Sequence, residues 1–246
     1  MPKPTFLNLP ESKRNRITEL ALDEFSTHPY RQASLSRIVA RAGIAKGSMY
    51  QYFENKLDLY RWLVTEELEQ RKAKWLESNS EVSGPTDNQS GLFADIERLV
   101  MTQIGFMLSH PRLARLAASA MEPTADEQLR DLHGALRRAH ICALSDRIEQ
   151  ARNKGEIRSD VDARTLAHLI DAMILRGTTN AVLDRLGVDV QKFLAEPHSA
   201  KLETSRWREL VRETLGLIRA GISSPMSAGN DLLSPANAHA ENACVA

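Results

Sequence analysis

The amino-acid sequence predicts an all-α protein in which a small N-terminal helical bundle precedes a larger helical domain. Three observations lead there. Apolar residues recur at helical spacing along most of the 246 residues. Glycine and proline number only 12 and 10 and cluster at a few points, so the helices have few breaks. Alternating runs of β-branched residues, the mark of half-buried strands, are missing. The composition is that of an ordinary globular chain, 42% hydrophobic and 26% charged with a formal net charge of zero, long enough for a real core. No apolar run approaches the roughly 18 residues of a membrane span. The opening MPKPTFLNLPESKRNR lacks the apolar core of a signal peptide, so a cytoplasmic protein is expected, with no membrane partner. Two cysteines, Cys142 and Cys244, build neither a disulfide framework nor a cysteine-rich metal cluster.

The first helix is expected from about Glu11 to Ser26, with Ile17, Leu20, Ala21 and Phe25 at core spacing and Pro29 as its stop. Ser34 can cap a short second helix that buries Leu35, Ile38 and Val39. Gly43 is placed for the left-handed turn that closes it. A third short helix follows from about Ala45 to Phe53, and Asn55 can cap a fourth running to about Glu77. The polar stretch 78–91 reads as a boundary or connection. Helical periodicity resumes from Phe93 to Leu108 and continues in a shorter piece, Leu113 to Met121. A long helix is expected from about Ala125 to Lys154, with Gly155 ending it, then two more over about Asp162–Leu186 and Glu203–Ile222. Beyond Ser223 the Ser, Pro, Ala and Asn content predicts a disordered tail over 223–246.

Charge is distributed unevenly. Residues 1–50 hold eight Lys or Arg against four acids, and no acid falls between Phe25 and Phe53, where Arg31, Arg37, Arg41 and Lys46 lie. A basic end on a mildly acidic body hints at a polyanionic partner. Within that end, SLSRIVARAGIAKGSMYQYFENK, residues 34–56, has helix-turn-helix spacing, two short helices joined by a tight Ala-Gly-Ile turn. Ile38, Val39, Ile44, Met49 and Phe53 are spaced to hold the pair together, leaving Lys46, Gly47, Ser48, Tyr50, Gln51 and Tyr52 facing elsewhere. Gly47 permits close backbone approach to a surface, Lys46 can reach base edges, and Ser48 and the tyrosines can donate to phosphates. Lys56 is placed to meet a phosphate as well.

The segment resembles the DNA-binding domain of TetR-type transcriptional regulators, through Ala42-Gly43-Ile44, Gly47-Ser48, Tyr50-Gln51-Tyr52-Phe53 and Lys56 three residues on. The likeness is close over about residues 11–60. It departs at Pro29, which stands where the family usually has glycine before the aromatic Tyr30. The resemblance implies a DNA-binding domain over 11–71 with a recognition helix at about 45–53. Lys46, Gly47 and Tyr50 would lie near base edges, and Ser34, Ser48, Tyr52 and Lys56 on the phosphate backbone, with Ser36 and Gln51 at the same surface.

For residues 92–222 the resemblance implies a ligand-binding and dimerising domain whose last two helices pair across a two-fold axis. Independently, those helices carry more apolar surface than one face can bury. Leu169, Met173, Gly177, Trp207, Leu210, Val211, Leu215 and Ile218 are the candidates for the dimer face. Met101, Phe106, Met107, Met121 and Met173 are candidates to line a ligand site, although for any one of them core packing is the simpler reading. Arg115 and Arg176 could meet an anionic head group or serve as surface ion pairs. His133 and His140 stand seven apart with Cys142 nearby, but the one-helix chelating spacings are three or four. There is no catalytic motif of the HExxH or GxSxG kind, so neither an enzyme, a metal site nor a cofactor is expected. The expected function is a dimeric regulator, commonly a repressor, released from double-stranded operator DNA by a small hydrophobic ligand. The alternative is a helical dimeric interaction protein or small-molecule carrier with a degenerate helix-turn-helix.

Overall fold

The computed structural model describes residues 1–79, 91–173, 177, 179–185, 187, 209, 211–213, 215, 216, 219 and 220. Residues 80–90, most of the expected last helix and the tail 223–246 lie outside the described residues. Among the described residues, the regular elements are helices. They run α1 (Pro4–Leu7), α2 (Glu11–Thr27), α3 (Leu35–Ala42), α4 (Lys46–Tyr52), α5 (Lys56–Trp62), a π-helical turn (Leu63–Glu67), α6 (Leu68–Ser78), α7 (Leu92–Ser109), α8 (Pro111–Met121), α9 (Glu127–Asn153), α10 (Ala163–Ala172) and α11 (Thr179–Arg185).

Local chemistry explains most of the boundaries. His28 ends α2 in extended geometry, as the residue before a proline tends to be. The Ser34 side chain accepts from the Arg37 amide to open α3, and Gly43 closes it at φ +68°, where a Cβ would be strained. The side chain of Asn55 accepts from the amide of Asp58 at the start of α5. Asp126 and Asp162 cap α9 and α10 in the same way.

Two features depart from the expected elements. Helix α1 precedes the predicted start at Glu11; Pro4 opens it and Phe6 is wholly buried. The expected fourth helix is also interrupted by the π-helical turn, inside which the Thr65 hydroxyl donates to the Arg61 carbonyl at 2.9 Å. Such back-bonding loosens the helical ladder locally.

Among the described residues the apolar interior falls into two clusters, and they do not follow the chain's polar break. The first gathers Phe6, Ile17, Ala21, Phe25, Ile38, Val39, Met49, Phe53, Leu59 and Tyr60, yet also takes Phe106 from α7, Leu113 and Leu116 from α8, and Leu129 and Leu132 from α9. The second packs Ile96, Val100 and Ile104 of α7 against Ile141, Leu144 and Ile148 of α9, with Leu166, Ile170, Val211 and Leu215. Helix α9, 27 residues long, therefore serves the first core with its beginning and the second with its end.

Candidate nucleic-acid interface

The interface is built on α3 and α4. With seven residues, α4 is far too short to persist alone. Met49 and Phe53 hold it, each 1% exposed, and each contributes roughly 2 kcal/mol by burial. Behind them stands an aromatic group in which the Phe6 ring lies 4.8 Å from Phe53, 5.3 Å from Trp62 and 5.8 Å from Tyr52. A second group supports the loop before α3, with Tyr30 5.3 Å from Tyr60 and 6.2 Å from Phe25.

The candidate DNA-contacting residues divide. Gly47, Tyr50 and Gln51 of α4 and Ser36 of α3 are exposed, while Ser48 and Ser34 are half-buried. Tyr50, at 53% exposure, is a large aromatic turned to solvent. The side chain of Lys46 lies outside the described residues. Tyr52, expected on the phosphate backbone, is buried against Phe6 at 6% exposure. It stands three residues after Met49 and so shares that residue's inward face. Lys56 is also turned inward. Its ammonium donates to the carbonyls of Tyr30 at 2.7 Å, Ala33 at 3.1 Å and Arg31 at 3.4 Å, and lies 4.4 Å from the Tyr30 ring centroid. Burial holds its pKa below the ordinary lysine value, against the pull of Asp126 and Glu24. The turn after Pro29 points its carbonyls at one spot, and a cation fills it.

The basic character of the segment is likewise absorbed in part. Arg31 pairs with Asp126 at 2.8 Å, Arg41 with Asp23 at 2.6 Å and Arg37 with Glu24. The acids come from just before the acid-free run and from the cap of α9. Glu24 is 2% exposed and accepts from the Ser34 amide at 2.8 Å and from Arg37 Nε at 3.0 Å. Burial pushes its carboxyl up, but those donors outweigh it and the pKa ends below the ordinary value. Glu24 thus fixes the start of α3, a role with no local signal except an acid on the buried face of α2.

A polar seam ties this unit to α8 and α9. The Nδ1 of His133 lies 3.2 Å from the carbonyl oxygen of Glu122, and its Nε2 lies 3.1 Å from the Tyr60 hydroxyl. A carbonyl only accepts, so Nδ1 carries the proton and the Tyr60 hydroxyl donates to Nε2. Burial lowers the His133 pKa and pushes the Tyr60 hydroxyl up to about 12. Arg115 donates to the Ser26 carbonyl at 3.2 Å and Arg112 pairs with Asp23 at the same distance. Arg115 is therefore engaged at the junction with α2, rather than aimed among the apolar ligand candidates.

Those candidates do not form one group. Met101 belongs to the second core and Phe106 to the first, stacked on His110 and edge-on to Trp75. Met107 is buried, Met121 half-buried, and Met173 46% exposed; Arg176 lies outside the described residues. Of the dimer-face candidates, Leu169 is 54% exposed and Gly177 is exposed. Val211 and Leu215 pack into the second core of their own chain, with residues of α7, α9 and α10. Trp207, Leu210 and Ile218 lie outside the described residues. His133 and His140 diverge, the latter pairing with Asp171 at 2.8 Å. Among the described residues no group of three His, Cys, Asp or Glu is placed to hold a metal ion, and no helix is long and apolar enough to cross a membrane.

A short helix presented across a tight glycine turn from a helical body defines a helix-turn-helix DNA-binding protein. The domain described as bacterial regulatory proteins, tetR family, matches residues 17–62. A TetR family transcriptional regulator from Chloroflexus aurantiacus is 30% identical over 91% of this chain and 99% of its own, with a TM-score of 0.68. The chain belongs to the TetR family of transcriptional regulators. An HTH-type transcriptional repressor of Streptomyces coelicolor is 27% identical over 165 residues, 67% of this chain and 77% of the repressor. The regulator FadR of Bacillus subtilis, solved in complex with stearoyl-CoA, shares the fold at 19% identity and a TM-score of 0.59, over 84% of this chain and 98% of its own.

Proposed function

We propose that the protein is a homodimeric repressor that holds a palindromic operator through α4 and releases it when a small hydrophobic ligand binds the larger domain. Residues 11–71 would carry the DNA and residues 92–222 the ligand and the dimer contact. One observation carries the reading of α4. Tyr50 stays exposed on a helix whose other large hydrophobic side chains, Met49 and Tyr52, are buried along with the flanking Phe53. An aromatic hydroxyl beside Gly47 and Gln51 offers hydrogen bonds and apolar contact to base edges in a groove wide enough for a helix.

Leu169 and Met173, one turn apart and both exposed, support a pairing face on α10. A two-fold dimer would present two copies of α4 about 34 Å apart, one turn of DNA, or a multiple of it. Repression is the action of the Streptomyces relative, and the stearoyl-CoA held by the Bacillus regulator supports a lipophilic ligand for this fold. Coupling needs one element that both sites bias. Helix α9 fits, since its cap Asp126 holds Arg31 and its His133 holds Tyr60. Ligand and DNA would then lower each other's affinity by the same factor.

Selection of fragmented genomic DNA on the purified protein, followed by sequencing, tests the reading. Wild type should enrich a few fragments sharing a palindrome. Tyr50→Ala should lose tenfold or more of that preference, on the order of 1–3 kcal/mol, while retaining salt-dependent binding to unrelated duplex. Enrichment unchanged by Tyr50→Ala would overturn the assignment of α4.

A further inference from the structure

We infer that Lys3, Thr5 and Phe6 form a positioning clamp that sets the aim of α4 and thereby its sequence selectivity. The inference rests on the reading of α4 as the DNA-reading helix. A helix leaves its last four carbonyls without partners of its own. In α4 the Met49 carbonyl accepts from the Phe53 amide at 2.9 Å. The next three are taken by a segment more than 40 residues away in sequence. Tyr50 O accepts from Lys3 Nζ at 2.9 Å, Gln51 O from the Thr5 hydroxyl, and Tyr52 O from the Lys3 amide at 2.8 Å. The ammonium also lies at the negative end of the helix, where a cation is favoured.

The clamp has an anchor and a grip. Phe6, wholly buried among Tyr52, Phe53 and Trp62, is the anchor. Lys3 and Thr5 reach round it to the backbone of Tyr50 and Gln51, whose side chains face out, and of the buried Tyr52. At its other end α4 has no side-chain cap, its N-cap being Ala45. Its direction is therefore set by the burial of Met49 and Phe53 and by the three bonds from Lys3 and Thr5. Reading base edges depends on that direction, because hydrogen bonds weaken steeply with misalignment. Attraction to phosphates does not.

The test is a Lys3→Ala, Thr5→Val double variant of the full chain, with Tyr50→Ala alongside. Affinity is measured for the fragment most enriched by wild type and for a shuffled duplex of equal length, together with the melting temperature. The ratio of the two affinities should fall about tenfold in the double variant, comparable to one lost base contact. The shuffled duplex and the melting temperature should change little, and Lys3→Arg, Thr5→Ser should restore the ratio. A preserved ratio in the double variant, with Tyr50→Ala losing it, overturns the clamp. A lower melting temperature with the ratio intact makes residues 3–6 a stabilising strap only, which also overturns it. A ratio preserved in Tyr50→Ala locates the failure in the reading of α4 instead.

Discussion

The two helices of the motif are held in opposite ways. Helix α3 is secured mainly from its own neighbourhood: Ser34 caps it, Gly43 closes it, and Glu24 and Asp23 on α2 bind Arg37 and Arg41. Helix α4 has no side-chain cap at its N-terminus and no ion pair among the described residues. It is fastened by the buried Met49, Tyr52 and Phe53 and by residues 3–6 from behind. A helix that only positions can spend its polar groups internally. One that reads a surface must keep them outward, so its fastening comes from groups that never face the surface. The contrast shows why the acid-free run misleads as a measure of free charge, since three of its cations are already engaged on the positioning side.

The contrast can be broken at several points. Glu24→Gln should have the largest effect, about 2 kcal/mol, because the start of α3 loses hydrogen bonds to a charged, buried acceptor. Its dependence on pH follows from the depressed carboxyl. The stabilisation is complete above the unfolded value of about 4.3 and is lost as pH falls through the lower folded value. Wild type and Glu24→Gln should therefore differ in urea unfolding at pH 7 and converge on acidification. A constant difference would mean that the charge on Glu24 does not hold α3.

Lys56→Met comes next, at about 1–2 kcal/mol for three carbonyls deprived of their donor. The slope of log affinity against log salt should stay as in wild type; a slope reduced by about one would show Lys56 on a phosphate after all. Arg31→Ala should be smallest for stability, with no resolvable shift in melting temperature, because the Arg31 side chain is 74% exposed. It sharpens the comparison by its effect on coupling. Loss of the bond to Asp126 should reduce the factor by which stearoyl-CoA, taken as a probe, weakens DNA binding. An unchanged factor would remove Arg31 from the coupling.

What was legible in the sequence was local. Ser34, Gly43 and Asn55 announce their caps within three residues, and Met49 and Phe53 announce their face by spacing. Tyr52 carried a clue as well, its distance of three from Met49, although the spacing reading sets it outward with Tyr50. Lys56 carried a weaker clue, for a cation at the first position of a helix opposes the helix dipole and so asks for another partner. Helix α1 left almost none, because four residues show no periodicity and Phe6 gains its value from residues about 50 positions away. The same holds for Arg31 with Asp126 and Tyr60 with His133, pairs separated by 95 and 73 residues. The split of Met101 and Phe106 between two cores follows from the course of α7 past both halves of α9, which no local pattern encodes.

The π-helical turn at Leu63–Glu67 bears on rotation. Each residue of an α-helix turns the chain by about 100°, and a π-turn accommodates one residue beyond the regular winding. The helix from Lys56 to Ser78 therefore has two phases: Leu59, Tyr60 and Trp62 face the motif before the turn, and Trp75 meets Phe106 after it. Removing one residue there would restore regular winding and leave Trp75 against Phe106, whereas removing one elsewhere in the helix would swing Trp75 away by about 100°. A rod with such a slip in it can store twist as well as tilt, so its two ends need not turn together.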